Sequence, residues 1–352
     1  MKVNPFPLAA LALVVAAPAF AGPRVAADIP PVHSLAAAVM EGIGAPELIL
    51  PPGASPHDYA MRPSEAARLE AAEVVFWVGE GLTPWLETAL DALAADAVKV
   101  ELMDAPGIRQ LPFREGATFE AHDHGHEDHA GAKKAAEHGH DHDHDHDHDH
   151  DHDHDHGHAE KAHEDHAHGG HGHEGHDHGA FDPHVWLDPR NAAAMTDAMA
   201  EALAGADPAN ADAYRANAAR LRADLSALET EIAAAVAPAR GKPFVVFHDA
   251  YHHFEARFDV EAAGAISLSD ASAPGPARLD ELRHLVRDLG VVCVFAEPQF
   301  DPKLAALVVE GTEAEVAVLD PLGADIEPGP AHYMALIRGV GSALTGCLDR
   351  AS

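Results

Sequence analysis

The sequence predicts an α/β protein of two lobes, each with a mostly parallel sheet flanked by helices. One long rigid linker helix joins the lobes, and a disordered His-rich insert interrupts the first. Three observations predict this. Short apolar runs alternate with helical stretches of about ten residues at both ends of the chain, the pattern of βαβ units. A long helical region separates the two alternating parts. The 352 residues exceed what one hydrophobic core usually serves.

The chain opens on Met1-Lys2, an apolar stretch from Pro7 to Ala17, and Ala19-Phe20-Ala21. A basic start, a short apolar core and an A-x-A ending read as a signal peptide over 1–21. The apolar core is shorter than the roughly 20 residues that cross a bilayer. The mature chain is therefore expected in the periplasm.

The first lobe is expected over 22–190. Its strand candidates are Val25–Ala27, Leu48–Leu50, Val74–Val78 and Val98–Leu102. A helix is expected over Ser64–Ala71, with Ser64 as N-cap after Pro63. Residues 120–178 break this pattern. They hold 22 of the 30 histidines, including an unbroken Asp-His alternation from Asp141 to His156. With almost nothing apolar to bury, the segment cannot offset its ordering entropy and should be a disordered surface insert.

A helical region is expected over 191–240. Asp207 followed by Pro208 is a helix start signal, and Leu221, Leu225, Leu228 and Ile232 recur every three or four residues towards Val236. One helix over Pro208–Val236 would be a rod of roughly 45 Å. The second lobe is expected over 241–352. Its strands are Phe244–Phe247, Val291–Phe295 and Val316–Leu319, and its helices Arg278–Leu289, Lys303–Glu310 and Ala331–Leu348.

The net charge of -35 comes partly from the insert, where 18 acidic residues stand against three lysines. The remainder is still acidic. That argues against nucleic acid and anionic membranes as partners and suits a cation ligand. Cys293 and Cys347 are the only cysteines. In an exported protein an even count favours a disulfide, with two unrelated buried thiols as the alternative.

Ligands of open α/β sheets bind beyond the carboxyl ends of the strands. Four titratable side chains fall at such places. His57 lies in the loop after Leu48–Leu50, His184 in Phe181-Asp182-Pro183-His184-Val185-Trp186, His248 at the end of Phe244–Phe247, and Asp320 after Val316–Leu319. Two come from each lobe. Three imidazoles with a carboxylate or water suit tetrahedral zinc, with Asp58 or Asp249 as candidates to orient the rings. His252 and His253 fall on a helix with Phe254 and read as packing or surface residues, and Glu297 as a supporting carboxylate.

These segments also carry a resemblance. Gly53-Ala54-Ser55-Pro56-His57-Asp58-Tyr59 with Arg62-Pro63-Ser64, His184-Val185-Trp186-Leu187-Asp188-Pro189, Phe247-His248-Asp249-Ala250-Tyr251, Phe295-Ala296-Glu297-Pro298-Gln299-Phe300 and Leu319-Asp320-Pro321-Leu322-Gly323 occur in that order. Together they resemble the zinc-binding periplasmic components of ABC importers, the ZnuA-like receptors. The resemblance implies a receptor that delivers Zn(II), its transported ligand, to an inner-membrane ABC permease. It implies His57, His184 and His248 as ligands, and a Cys293–Cys347 disulfide. Pro56 departs from it, because close relatives can carry a glutamate before the first histidine. The fourth ligand is then Asp320, a water or a histidine of the insert. Related manganese receptors typically have glutamate where His248 stands.

The insert, for example His142, His144, His146, His148 and His150, is expected to hold zinc weakly and to lose it on protonation. The protein is expected to be a monomer that meets the membrane only through its permease. The alternatives are a receptor for manganese or another divalent metal, and a zinc storage or chaperone protein acting through the insert. A zinc hydrolase would need an open metal position beside a general base, and the sequence has no H-E-x-x-H motif.

Overall fold

The computed structural model describes residues 22–114, 119, 181–267 and 275–350. The expected signal peptide and insert, with the five insert histidines named above, lie outside the described residues. No helix of the described residues is long and apolar enough to cross a membrane.

The described strands form two four-stranded parallel sheets. The first holds β1 (Val25–Ala27), β2 (Glu47–Leu48), β3 (Val74–Trp77) and β4 (Val98–Glu101), in the order β2-β1-β3-β4. Helices α1 (Pro30–Val39), α2 (Pro63–Ala71) and α3 (Pro84–Leu93) connect them. Each opens with a proline in its first turn, where the missing N–H has no helical partner to lose. Pro63 therefore takes the position the sequence assigned to following residues. Arg62, not Ser64, is the N-cap, and its N–H donates to the Glu65 carboxylate at 2.7 Å. Strand β2 is shorter than expected, although Ile49 and Leu50 still donate to Ala27 and Asp28.

Helix α4 (Pro189–Ala206) leads into the connecting region. The expected single helix from Pro208 instead starts as a 3-10 turn over Pro208–Asn210 and continues as α5 (Ala211–Val236). Asp207 does not cap it through the side chain. Its carboxylate accepts from the Asn210 amide and the Tyr214 hydroxyl. The 26 residues of α5 span about 39 Å, and Leu221, Leu225, Leu228 and Ile232 are all buried.

The second sheet holds β5 (Phe244–His248), β6 (Ala262–Ser267), β7 (Cys293–Ala296) and β8 (Glu315–Val318), in the order β6-β5-β7-β8. Its helices are α6 (His252–Phe258), α7 (Pro276–Asp288), α8 (Lys303–Val309) and α9 (His332–Leu348). Strand β6 has no counterpart among the expected strands. It reads Ala-Ala-Gly-Ala-Ile-Ser, too poor in β-branched and aromatic residues to signal a strand, and its pairing with β5 makes it one. The Cys293–Cys347 disulfide forms, joining β7 to α9.

Both sheets thus repeat one topology, with the direction of growth reversing beside the first strand. That reversal is the usual ligand crevice. In the first sheet the buried Asp28 fills it, its carboxylate accepting from Ile29 and Val78 N–H groups, both at 2.7 Å. In the second sheet His248 occupies it. One continuous apolar core runs from Val25 and Phe76 through Trp186 and Leu228 to Phe244, Phe295 and Tyr333. The Tyr333 hydroxyl donates to the Trp186 carbonyl, and its N–H to the Ser34 hydroxyl. The two sheets are therefore cemented through shared packing rather than joined by a helix alone.

Candidate metal centre

His57, His184 and His248 converge. One ring nitrogen from each lies within 4.8 Å of the others, and theirs is the metal-compatible cluster of three or more such side chains among the described residues. The Nε2 atoms of His57 and His184 are 3.3 Å apart, and so are those of His184 and His248. His184 and His248 are almost fully buried, at 4% and 6% exposed. His57 is half-buried at the mouth.

Each ligand candidate is held by its own local structure. The His57 loop is pinned by the Trp85 indole, which donates to the Pro56 carbonyl at 2.7 Å, and by Ser55, whose hydroxyl accepts from the His57 N–H. Tyr59 stacks edge-on against Trp85 and donates to Glu65. His184 precedes a 3-10 turn over Val185–Leu187, and its ring packs against Trp186. His248 ends β5 and meets the edge of Phe300, itself stacked on Phe247 at 4.4 Å.

Two carboxylates fix which nitrogen faces the cluster. Asp182 Oδ1 is 2.7 Å from His184 Nδ1 and also accepts the His184 backbone N–H. Glu297 Oε1 is 2.8 Å from His248 Nδ1. A neutral ring has one N–H, so donating it from Nδ1 leaves Nε2 as a lone pair. Two buried lone pairs then face each other at 3.3 Å, an arrangement that asks for a cation between them. Burial pushes the Asp182 carboxyl up to about 6, which leaves it ionised at neutral pH and able to accept.

The spacing also fits a specific geometry. Zinc–imidazole bonds of about 2.0–2.1 Å in a tetrahedron place the donor atoms about 3.3 Å apart.

Of the carboxylates the sequence offered as supports, Glu297 orients a ring, whereas Asp249 and Asp58 do not. Asp249, next to His248, instead pairs with Arg114, which also binds Glu255. Successive side chains at a strand end point to opposite faces, so adjacency to the ligand carries Asp249 away from it. Asp58 is exposed and has no part in the ring contacts described. Asp182 is not among those expected supports, although its place two residues before His184 is a local signal, since a short Asp side chain readily accepts from a backbone N–H two residues on.

Asp320 does not join the three histidines. Its carboxylate accepts the N–H groups of Leu322, Gly323 and Ala324 and the Gln299 amide, closing its own loop. That loop borders the pocket, which Ser55, Pro56, Trp186, Gln299, Phe300, Pro321 and Leu322 line. Pro321 accepts from the Trp186 indole at 2.8 Å.

The profile of the family described as the periplasmic zinc-uptake complex component A, ZnuA, matches residues 25–347. The chain belongs to the ZnuA family. It is 47% identical over 326 residues to the high-affinity zinc uptake system protein ZnuA of Brucella suis biovar 1 (strain 1330), covering 93% of this chain and 92% of the relative. The ZnuA of Paracoccus denitrificans (strain Pd 1222) is 46% identical over 327 residues, with the same shares covered. A crystal structure of ZnuA superposes with a TM-score of 0.67 at 22% identity, covering 93% of this chain and 99% of that one. It shares the two-sheet fold. ZnuA proteins are solute-binding components of uptake systems, and this chain's α/β lobes and linker helix are theirs.

Proposed function

We propose that this ZnuA-family protein is a periplasmic receptor that captures one Zn(II) ion between His57, His184 and His248 and delivers it to an inner-membrane ABC permease. The observation that carries the reading is the pair of buried Nε2 atoms, His184 and His248, 3.3 Å apart with each Nδ1 committed to a carboxylate. The names of the relatives, high-affinity zinc uptake proteins, support the same cargo.

Donor chemistry favours zinc over manganese. Three neutral imidazoles form a borderline-soft nitrogen set, whereas manganese prefers carboxylate and carbonyl oxygen. The fourth position falls to solvent or to a histidine of the insert, because Asp320 is engaged in its own loop. The insert, including His142, His144, His146, His148 and His150, acts as a weak zinc reservoir. The receptor works as a monomer, cleaved after residue 21, with lobes over 22–190 and 241–352 and the helical region 191–240 between them. It is not an enzyme. The site serves capture and release rather than turnover.

Competition between zinc and manganese on one metal-stripped sample tests the reading. One zinc per chain should bind tightly and resist a hundredfold excess of manganese. At a thousandfold excess over its dissociation constant, zinc should stabilise the fold by about 4 kcal/mol. An unchanged melting temperature, or displacement by manganese, would refute it.

A further inference from the structure

Helix α6 begins four residues after His248, and three of its side chains reach across to the first lobe. Arg257 forms a two-pronged ion pair with Asp188, with contacts of 2.6 and 2.7 Å. Asp188 in turn caps α4 through the Arg190 N–H. Glu255 binds Arg114, which follows β4. His253, 1% exposed, puts Nε2 3.1 Å from the Asp182 carbonyl. Asp182 and Asp188 flank His184, so α6 grips the His184 segment at both ends.

The bonds around His253 assign its protons. The Arg109 N–H donates to Asn191 Oδ1, so the Asn191 amide nitrogen is a donor, and it bonds the Arg109 carbonyl. That same nitrogen lies 3.5 Å from His253 Nδ1. Facing a donor, Nδ1 carries the lone pair and Nε2 carries the hydrogen, which it gives to Asp182. A chain of contacts then runs from Arg109 through Asn191 and His253 to the Asp182 carbonyl and, by way of the Asp182 side chain, to His184. It leaves the first lobe for α6 and returns to the imidazole that faces His248.

We infer that His253 is a positioning residue of the metal site, through which α6 sets the spacing between His184 and His248. The stretch 248–258 supplies one ligand directly and fixes the other through Asp182. His57, carried by a loop that α6 does not touch among these contacts, completes the site. This rests on the three-histidine reading above. His253 never touches the ion; it holds the backbone carbonyl of Asp182, the residue whose carboxylate orients the ring. Outer partners of this kind commonly account for 10–100-fold in metal affinity.

The test is zinc affinity by chelator competition on the metal-stripped full chain, with cobalt(II) absorption as a report of coordination geometry. His253→Gln places an amide N–H near the Nε2 position, whereas His253→Asn places it near Nδ1, short of the Asp182 carbonyl. His253→Leu should bind zinc at least tenfold more weakly with an altered cobalt spectrum, and His253→Gln should recover most of the affinity. Leu and Gln variants both within twofold of the parent would overturn the inference. If the Leu variant does not fold, Gln should exceed Asn in affinity by fivefold or more, and equal affinities would overturn it. His184→Ala is run alongside. Tight binding that survives His184→Ala contradicts the three-histidine site itself, whereas its loss with unchanged His253 variants contradicts only the role of His253.

Discussion

Glu297 Oε1 lies 2.8 Å from His248 Nδ1, and the two residues stand at the ends of adjacent strands, β7 and β5. The carboxylate is 3% exposed, so it accepts the ring hydrogen in a dry setting where such a bond is strong. This contact turns the lone pair of His248 towards His184. Glu297→Gln keeps the shape and removes the charge. It is expected to weaken zinc affinity roughly 10–100-fold while leaving the fold intact. Affinity within twofold of the parent, measured by chelator competition, would show that the contact does not tune the ligand.

Asp320 separates structural from ligating roles. Its carboxylate accepts three backbone N–H groups and the Gln299 amide. Asp320→Ala should therefore cost about 2–4 kcal/mol of stability, the scale of losing several charge-assisted bonds. Zinc affinity should change less than fivefold. A hundredfold loss of affinity with an unchanged melting temperature would make Asp320 the fourth ligand instead.

Asp28 gives the metal-free fold a pH dependence. Burial pushes its carboxyl from 3.8 up to about 7, against the pull of the Val78 and Ile29 N–H groups. Folded chains then keep a proton that unfolded chains release between about pH 4 and 7. The associated stability is complete below pH 4 and is lost as pH rises through about 7, by at most about 4 kcal/mol. Asp28→Asn removes that term. Urea unfolding of the zinc-free protein from pH 5 to 8 should show a steeper fall for the parent than for the variant, and parallel profiles would contradict it.

The Cys293–Cys347 disulfide closes a sequence separation of 54 residues. By chain entropy that is worth about 4 kcal/mol. The Cys293→Ser/Cys347→Ser double variant should melt lower by that scale. It should still bind zinc tightly, because Cys293 begins β7 and Glu297 follows its far end. Loss of tight binding in a folded double variant would link the bridge to the site.

Much of the fold was legible because the pattern was strong. Val74–Trp77 and Phe244–Phe247 are apolar and β-branched or aromatic, and both lie in central strands. Ala262–Ser267 was not legible, since alanine and glycine carry little strand signal and pairing with β5 decides their conformation. The three histidines could be read from their places at strand ends and loops. Of their supporting carboxylates, Glu297 could be read as one, but not which ring it serves, and Asp182 could not. Asp249 and Asp58 adjoin His248 and His57 in sequence, but side-chain direction turns Asp249 to Arg114, while Glu297 reaches His248 from 49 residues away. Asp320 sits where a ligand could sit, yet the tight turn through Gly323, with φ of 73°, folds the loop's N–H groups onto its carboxylate.

The most direct measurement compares zinc titrations of two variants against the parent: a deletion of residues 121–179, and His184→Ala in the full chain. The deletion should keep one tight zinc per chain and lose only weak capacity, while His184→Ala should lose the tight zinc and keep the weak capacity. Tight binding that disappears with the deletion and survives His184→Ala would contradict a site built from His57, His184 and His248.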